Sequence, residues 1–494
     1  MINLHSLQGN PLLNAKITNI VHFFTTHQIS KFNLEKTSIY RSLHEKNLSS
    51  IEVYVFLQQK NRFAMDAQTL QEILLDQQEE LSETDLASLC DRFEEPQLHL
   101  DSKLAQVVIG VRRSGKSVLC YKVLQQAGIH YAYVNFDDER LVSLKTEDLN
   151  TVLDVLYRIY GDFKHLFLDE IQNIDGWPLF VNRLLRKKMH VFLTGSNAKL
   201  LSNELMTHLT GRHHKVELYP FSFSEYCLMK HVDTISMTTK CKALRIKALE
   251  EYMRHGGFPE LFNETNRHEY IQDLLDAIIK KDIAKRFKLK HAEVLRQMAI
   301  YLSDNYCQEF VATKVAALFG ISDHTAEKYY SYLKQAFLFV GVNKFSYKSA
   351  ERVLNEKVYV VDTAFASDKE GTLAPDNLGW RLENIVLVEL LRRTKSDYTD
   401  VFYYKDRESQ VDFVIAKDGN VQEIIQVSYN ISNPKTERRE IKGLKDASKA
   451  LGCNRMTLIT LDTEKTISTE QGEIHVMAAT DWLLNQTNFH TFAS

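Results

Sequence analysis

The sequence predicts an α/β fold with several domains, built around a parallel β-sheet with flanking helices. Short apolar runs of the kind found in buried strands alternate with segments of helical periodicity. A loop with two glycines connects the first run to a helix, and a later run ends in two carboxylates. Because parallel strands need long crossovers, usually helical, this alternation indicates a parallel sheet. The predicted core strands are residues 105–109, 130–136, 164–170 and 190–193.

The loop at residues 110–117 follows the first predicted strand and fits the pattern Gly-x-x-x-x-Gly-Lys-Ser. This pattern binds phosphates, because its glycines let backbone N–H groups and the positive end of the next helix face an anion. Lys116 is predicted to contact the β- and γ-phosphates of ATP, and the Ser117 hydroxyl to bind Mg²⁺. A plain glycine-containing turn is the alternative. The predicted nucleotide-binding residues of this segment are Gly110, Arg112, Arg113, Ser114, Gly115, Lys116, Ser117 and Val118.

Two acids end the third predicted strand, at the edge where parallel strands present their carboxyl ends. Asp169 is predicted to hold Mg²⁺ through water, and Glu170 to polarise the attacking water. An ordinary strand end that meets solvent is the alternative. Thr194 and Ser196 follow the fourth predicted strand and could sense a γ-phosphate; either could equally cap a helix at residues 199–201.

Several segments together resemble a known group of proteins. These segments are residues 110–117, 134–141, 168–172, 193–196, 209–212 and 218–223. They are similar to the prokaryotic AAA-like ATPases that carry a C-terminal domain of unknown function, over roughly residues 96 to 430. The resemblance implies an ATPase core, a small helical lid, a winged-helix segment and a restriction-endonuclease-like C-terminal domain.

Three arginines have more than one interpretation. Arg212 is a candidate arginine finger, acting on the γ-phosphate of its own chain or of a neighbouring subunit, or else a surface arginine. It completes the predicted catalytic set with Lys116 and Glu170. Arg112 and Arg113 could contact phosphate or pair with Asp137 or Asp138.

Composition sets the size and broad class of the protein. At 494 residues and 44% hydrophobic content, the chain can form three or four domains. Its net charge of -3 gives no global attraction to nucleic acid or membrane. Its longest apolar runs fall short of the ~20 residues that cross a bilayer, and its start does not resemble a signal peptide. Six scattered cysteines indicate reduced thiols, so we expect a cytoplasmic protein without a membrane partner.

The predicted domain boundaries follow from Pro96, Pro220 and changes of periodicity. The N-terminal extension contains residues 37–44, which could form a small helix-turn-helix, although a helical docking module is favoured. A glycine-rich turn at residues 255–259 interrupts the lid. The five predicted segments are a helical extension at 1–95, the AAA-like core at 96–220, the helical lid at 221–290, the winged helix at 291–365 and the nuclease-like domain at 366–494.

The predicted winged helix offers a surface for DNA or for protein. Its two helices fall at residues 311–322 and 323–335, and two β-like segments follow at 337–342 and 357–362. Basic residues in or near the hairpin suit phosphate contacts, but the second helix is not notably basic, so protein docking remains an alternative. The residues considered for DNA contact are His324, Thr325, Lys328, Tyr329, Lys344, Lys348, Arg352 and Lys357.

The C-terminal domain has the element order of a PD-(D/E)xK nuclease but departs from its motif. Glu383 and Asp412 match the helix and strand acids that bind Mg²⁺. Gln426 stands at the second acid position, and Ser428 stands at the lysine position. Because serine cannot replace the cation, the sequence predicts a retained fold without nuclease activity, used for binding or scaffolding.

These observations together predict a Mg²⁺-dependent ATPase that couples its nucleotide state to a DNA or protein contact. Two alternatives remain open. One is an ATP-dependent nuclease, acting in defence against foreign DNA. The other is a nucleotide-gated adaptor with little turnover, working through protein partners or self-association.

Overall fold

The computed structural model describes most of the chain from residue 65 onward. The described residues are 65–196, 209, 211–289, 292–348, 356–366, 377–394, 399–407 and 409–485. By its internal contacts the chain divides between Asp66 and Ala67, and residues 67–494 form one compact unit. The possible helix-turn-helix at residues 37–44 lies outside the described residues.

Residues 67–95 pack on the core instead of belonging to a separate extension, which corrects the predicted boundary at residue 95. Helix α1 (Ala67–Ser82) buries one apolar face, including Leu70 and Leu74. The buried amide of Gln77 donates to the carbonyl of Asn135 at 3.0 Å, at the end of a core strand. The apolar stripe of α1 therefore covers the core itself.

The core is a five-stranded, fully parallel sheet in the order β2-β3-β4-β1-β5. The first four strands lie where the sequence predicts them, within two residues at each end; β5 was not predicted, because its pattern is mostly polar. The strands are β1 Ala105–Ile109, β2 Tyr131–Asn135, β3 His165–Asp169, β4 His190–Gly195 and β5 His213–Glu217. Ile109 lies beside Gly195, and β3 ends next to them, so the loops that follow β1, β3 and β4 meet at one edge.

Among the described residues, three further helices accompany this sheet: α2 Lys116–Gln126, α3 Leu149–Tyr160 and α4 Trp177–Arg186. Each buries an apolar face, as amphipathic crossover helices do. Leu119 and Leu124 of α2 pack with Val108, Phe167 and Phe192 of the sheet in one hydrophobic cluster. This packing fixes the amino end of α2, and with it the glycine-rich loop.

A helical region follows the core. Its helices are α5 Phe223–Met229, α6 Thr239–His255, α7 Arg267–Ala277, a π-helix at Ile278–Ala284 and one further turn, α8, at Lys285–Phe287. The turn after α6 ends that helix and also packs closely against Asp362. A Cβ on Gly256 would lie 1.8 Å from Oδ1 of Asp362, and the N–H of Gly257 donates to Asp362 at 2.9 Å.

The next segment contains α9 Ala292–Asp304, α10 Ala312–Phe319 and α11 Asp323–Gln335 with a small antiparallel sheet. The sheet has the order β6-β8-β7, from β6 Gln308–Glu309, β7 Phe339–Asn343 and β8 Glu356–Val360. The helix bounds agree closely with the predicted ones. Arg352 of the predicted hairpin lies outside the described residues.

The C-terminal region is a six-stranded mixed sheet in the order β13-β14-β12-β11-β10-β9. Its strands are β9 Thr399–Lys405, β10 Gln410–Lys417, β11 Asn420–Val427, β12 Met456–Thr460, β13 Lys465–Thr469 and β14 Gly472–Ala478. Its helices are α12 Leu378–Thr394, α13 Pro434–Leu451 and α14 Ala479–Leu484. No described helix is long and apolar enough to cross a membrane.

Buried contacts join these regions. One hydrophobic cluster includes Val111 of the glycine-rich loop, Ile283 of the π-helix and Phe413 of the C-terminal sheet. Arg392 of α12 donates to Glu94 at 2.6 Å and to the carbonyl of Pro220 at 2.9 Å. Helix α12 of the C-terminal region therefore contacts segments that flank the parallel-sheet core.

Candidate functional site

The loop at residues 110–117 has a backbone that depends on its glycines. A Cβ on Gly110 would lie only 2.1 Å from the carbonyl oxygen of Leu218, and the residue has a φ of 152°. Gly115, with a φ of 94°, is the N-cap of α2. Glycine is therefore required at both positions. The loop ends at the amino terminus of α2, whose free N–H groups favour an anion.

Two polar side chains of the loop are buried. The Nζ of Lys116 donates to the carbonyl of Val111 at 3.0 Å and lies 3.9 Å from Oε1 of Glu170. The Oγ of Ser114 is buried and has no hydrogen-bond partner among the described residues. A buried hydroxyl normally has a partner, so this atom suits a ligand that accepts a hydrogen bond, such as a phosphate.

Ser117 and Asp169 lie in direct contact. The Oγ of Ser117 donates to Oδ1 of Asp169 at 2.8 Å, and the hydroxyl of Thr194 donates to the same oxygen. Burial raises the pKa of Asp169 to about 6, with a further contribution from the charge of Glu170. Hydroxyl and carboxylate oxygens are the ligands that Mg²⁺ prefers, and a divalent cation would offset the buried negative charge.

Glu170 is held in a strained position beside these residues. Its φ is 49°, a left-handed conformation that is uncommon outside glycine and is often found at functional sites. Its N–H donates to Oγ1 of Thr194 at 3.0 Å. Its Oε2 accepts from the N–H and the Oγ of Ser196, each at 3.3 Å, and from the Gln172 amide. Thr194 and Ser196 thus position both acids.

The two loop arginines contact acids on different elements. Arg112 donates to Asp282 of the π-helix through two bonds of 3.1 Å and to Asp137 at 3.3 Å. Of the two acids proposed from the sequence, Asp137 is a partner, but Asp138 pairs with Arg140 instead. Sequence reasoning missed Asp282, because nothing in its local pattern links it to the loop.

Arg113 and Val118 lie toward the surface. Arg113 is 3.3 Å from Glu260, with both side chains about half exposed, and stacks over the ring of Tyr270. Val118, in the first turn of α2, is 41% exposed.

Arg212 is not brought to the site, so a role in its own chain is wrong. It lies just before β5, and its carbonyl accepts from the N–H of Ala105 at the start of β1. The phosphate-binding loop follows the other end of β1, roughly 13 Å away at ~3.3 Å per residue. The residue is exposed, so a role toward a neighbouring subunit stays a prediction.

Arg92 is a second residue that sequence reasoning missed. Its guanidinium donates to the carbonyl of Ser114 at 3.1 Å, to that of Tyr219 at 2.6 Å and to Glu225 at 2.9 Å. Arg92 therefore stabilises the backbone of the loop at residues 110–117 through Ser114. It falls in the segment that the sequence assigned to the N-terminal extension, where no motif singles it out.

A second polar cluster lies in the C-terminal region, where the acids predicted from the nuclease-like pattern meet a lysine. The Nζ of Lys357, on β8, lies 3.3 Å from Oε1 of Glu383 and 3.6 Å from Oδ1 of Asp412. The hydroxyl of Tyr359 donates to the same oxygen of Glu383 at 2.7 Å. Lys357 is 3% exposed, so it does not lie on the surface expected for a DNA-binding wing.

The electrostatics of this cluster follow from burial. Burial and the nearby Asp412 raise the pKa of Glu383 to about 7, and burial also raises the pKa of Asp412. Burial alone would lower the pKa of Lys357, but the two acids outweigh it and raise that pKa, so the lysine stays charged. The cluster thus holds a buried cation between two carboxylates.

Glu383 and Asp412 of this cluster line a cavity of about 920 Å³. The Gln426 side chain in its wall is engaged at both ends, accepting from the N–H of Asp412 at 3.2 Å and donating to Glu440 at 2.9 Å. Ser428 also lines the wall. The basic side chains around the cavity are Lys405, Arg407, Lys435, Arg438, Arg439 and Lys442.

Comparisons with known proteins agree with the core described above. Residues 102–227, which span the whole parallel sheet, match the AAA domain family. Residues 246–373 match a domain of unknown function, DUF8612. Among solved structures, a Walker-type ATPase of Pyrococcus abyssi is similar with 15% identity and a TM-score of 0.36, over 56% of this chain and 95% of that one. The Holliday junction branch migration motor RuvB of Thermotoga maritima is similar with 16% identity and a TM-score of 0.26, over 53% of this chain and 87% of that one.

Two relatives cover most of the chain. An uncharacterized protein of Methanocaldococcus jannaschii is 33% identical over 363 residues, which are 72% of this chain and 80% of that protein. An uncharacterized protein of Haemophilus influenzae is 32% identical over 403 residues, which are 78% of this chain and 95% of that protein. The chain therefore belongs to the same family as these two proteins, and residues 102–227 form its AAA-type domain.

Proposed function

We propose that the protein hydrolyses ATP in a Mg²⁺-dependent reaction at the P-loop, and that its nucleotide state controls a contact with DNA or protein. The observation that carries this proposal is the hydrogen bond from Ser117 to Asp169, with Lys116 and Glu170 beside it at the same sheet edge. These are the residue types that bind phosphate, metal and water in P-loop ATPases.

The loop residues bind the nucleotide. Lys116 carries the charge that faces the β- and γ-phosphates, and the buried hydroxyl of Ser114 donates to phosphate oxygen. Ser117 and Asp169 would hold the metal. When bound, Mg²⁺ supplies positive charge that offsets the charge developing on the phosphate oxygens.

Glu170 activates the water. A carboxylate oxygen of Glu170 accepts a proton from the water as the water oxygen bonds to the γ-phosphorus and the bond to ADP breaks. Ser196 and Thr194 fix the acid at the strand end through the hydrogen bonds described above. The strained φ of Glu170 persists because these bonds determine its position.

The contact controlled by the nucleotide is proposed to use the region of α9–α11 and the β6-β8-β7 sheet. Two consecutive helices followed by an antiparallel hairpin support a winged helix. Lys344 and Lys348 follow β7, and Lys348 is exposed, which suits phosphate contacts. Protein docking at the same surface is the alternative.

Phosphate release, measured with and without DNA, tests the proposal. Turnover that disappears in Lys116→Ala is expected. Tight ATP binding with negligible release in the wild-type protein would instead favour the nucleotide-gated adaptor. If DNA neither changes the turnover nor binds to the protein, a contact with protein becomes the better explanation.

A second candidate function, metal-dependent phosphodiester cleavage, is favoured by the position of Lys357. Ser428 stands at the lysine position of the nuclease motif, so the motif itself supplies no cation beside the two acids. Lys357 brings such a cation to Glu383 and Asp412 from a different strand. The basic rim of the cavity suits a nucleic-acid backbone.

Cleavage assays with Mg²⁺ or Mn²⁺ on single-stranded DNA, duplex DNA and RNA test this candidate. Cleavage that is lost in both Asp412→Asn and Lys357→Met, while ATP turnover persists, would establish it. Absence of cleavage on all three substrates would restore the sequence-based expectation of a binding domain. Cleavage that persists in Asp412→Asn would identify a contaminant.

A further inference from the structure

Asp282 belongs to the helical region, yet its side chain reaches the P-loop. It lies in the π-helix at Ile278–Ala284, beyond the part of the chain that matches the AAA domain. Ile278, Ile279 and Ile283 of this segment are buried in the large hydrophobic cluster. These anchors hold the π-helix in place, and π-helical turns occur frequently at functional sites.

The contact between Asp282 and Arg112 is bidentate. The Nε of Arg112 donates to Oδ2 and its Nη2 to Oδ1, each at 3.1 Å. The side chains are 17% and 6% exposed, so water screens the pair only weakly. Such a fork fixes the plane of the guanidinium as well as its position. Arg112 lies within the phosphate-binding loop, so its guanidinium is held at the mouth of the nucleotide site.

Asp282 is also connected to Glu170. The Oγ of Ser196 lies 3.2 Å from Oδ1 of Asp282 and 3.3 Å from Oε2 of Glu170. A hydroxyl has only one hydrogen to donate, so the two carboxylates share it. The orientation of the acid that activates water therefore depends on a carboxylate of the helical region.

We propose that Asp282 is a positioning residue for ATP hydrolysis, which fixes Arg112 over the P-loop and, through Ser196, the orientation of Glu170. This inference rests on the proposed ATPase function. It makes turnover dependent on the region that follows the AAA domain, because a shift of the π-helix displaces Asp282. A misplacement of about 1 Å in such a group costs up to roughly a hundredfold in rate.

The neighbouring pair of Arg113 and Glu260 provides a matched control. It also joins a loop arginine to an acid of the helical region, at 3.3 Å, but its side chains are 41% and 53% exposed. Exposed pairs contribute little to structure or energy. Both pairs carry the same charges, so their comparison separates the position of Asp282 from a general electrostatic effect.

The test is steady-state ATP hydrolysis by the full chain with Asp282→Ala, Arg112→Ala, Ser196→Ala and the two double variants that contain Asp282→Ala. Asp282→Ala should lower kcat between tenfold and about a hundredfold, while the KM for ATP changes less than about threefold. Each double variant should be no slower than its slower single variant, because the residues act as a unit. Glu260→Ala should leave both parameters near wild type.

Melting temperature and binding of a fluorescent ADP analogue confirm that each variant is folded. If Asp282→Ala alone fails to fold, the double variant with Arg112→Ala removes both charges and serves in its place. Asp282→Glu should recover part of the rate.

An unchanged kcat in Asp282→Ala, or a raised KM with unchanged kcat, would overturn the inference and leave the ATPase function intact. A wild-type protein without ATP-dependent phosphate release would overturn both.

Discussion

The Nζ of Lys357 lies 3.3 Å from Oε1 of Glu383, although β8 and α12 belong to different parts of the fold. The lysine is the positive partner of two buried acids, Glu383 and Asp412. Lys357→Met should therefore lower the free energy of unfolding by about 3–5 kcal/mol at neutral pH, because it leaves buried charges uncompensated. Urea unfolding measures this loss. Lys348→Met, at an exposed position, is the control and should change stability by less than about 0.5 kcal/mol.

A divalent cation should compensate for the missing lysine. If Glu383 and Asp412 can bind metal, Mn²⁺ will raise the melting temperature of Lys357→Met more than that of the wild-type protein, because ligands stabilise the state that binds them. An equal Mn²⁺ effect on both proteins would show that the two acids do not form a metal site.

Lys116→Ala should abolish ATP hydrolysis and weaken ATP binding strongly while the fold survives. Within the protein, Lys116 donates to the carbonyl of Val111, and the loss of one such bond costs only ~1 kcal/mol. Phosphate release and equilibrium binding measure the two effects. Lys103→Ala, at an exposed position just before β1, is the control. Turnover near the wild-type rate would refute the role of Lys116.

Glu170→Gln should separate binding from chemistry. Glutamine keeps the shape and can still accept from Ser196, but it cannot take a proton. We expect normal ATP and Mg²⁺ binding with turnover on the order of a hundredfold slower. Asp169→Asn should instead weaken the dependence of turnover on Mg²⁺ concentration. Wild-type turnover in Glu170→Gln would mean that another group activates the water.

The first four strands of the AAA core could be predicted because the pattern that indicates each of them lies within the strand itself and the loop that follows it. Each of the first four is a short apolar run with a loop signal behind it, and the structure places them within two residues of prediction. The strand β5 has only one buried residue, Val216, so its pattern gives no such signal. Ser117 follows the loop after β1, and Asp169 and Glu170 lie at the end of β3. The sequence could indicate that these residues lie close together, because the carboxyl ends of parallel strands lie at the same edge of a sheet.

The contacts that the sequence did not predict share a different property. Arg92, Asp282 and Lys357 contact their sites from elements distant in sequence, and no local pattern records which distant acid or carbonyl a cation will meet. Arg212 shows the opposite error. It lies in a segment typical of the family, residues 209–212, but the strand pairing of Ala105 with His213 places it at the amino ends of the strands, away from the loop at residues 110–117.

Glu225 should make the protein sensitive to acid. Burial alone would raise its pKa, but Arg92 and Arg392 outweigh burial and lower the pKa to about 2 from its ordinary value of 4.5. Because the unfolded chain then binds more protons, this contribution to stability is present above about pH 4.5 and is lost as the pH falls toward 2.

The dependence of unfolding free energy on pH measures this contribution. Glu225→Gln should be less stable at neutral pH and show a flatter profile in this window. Asp154→Asn, which removes one partner of an exposed ion pair with Arg158, should leave the profile unchanged. Identical profiles for Glu225→Gln and the wild-type protein would contradict the assignment.

Lys344 and Lys348 should carry part of any DNA contact made by the region that follows β7. Each phosphate contact releases condensed counterions, so the logarithm of the binding constant falls with the logarithm of salt concentration by about 0.9 per contact. If both lysines contact phosphate, the double alanine variant should bind more weakly and lose up to about 1.8 from this slope. Fluorescence anisotropy with labelled duplex DNA at several salt concentrations measures both quantities.

The double variant Lys187→Ala with Lys188→Ala is the control for net charge, because it removes the same charge from exposed positions next to α4. Equal slopes in the two double variants would remove Lys344 and Lys348 from the DNA interface, and would make protein docking the better explanation for this surface.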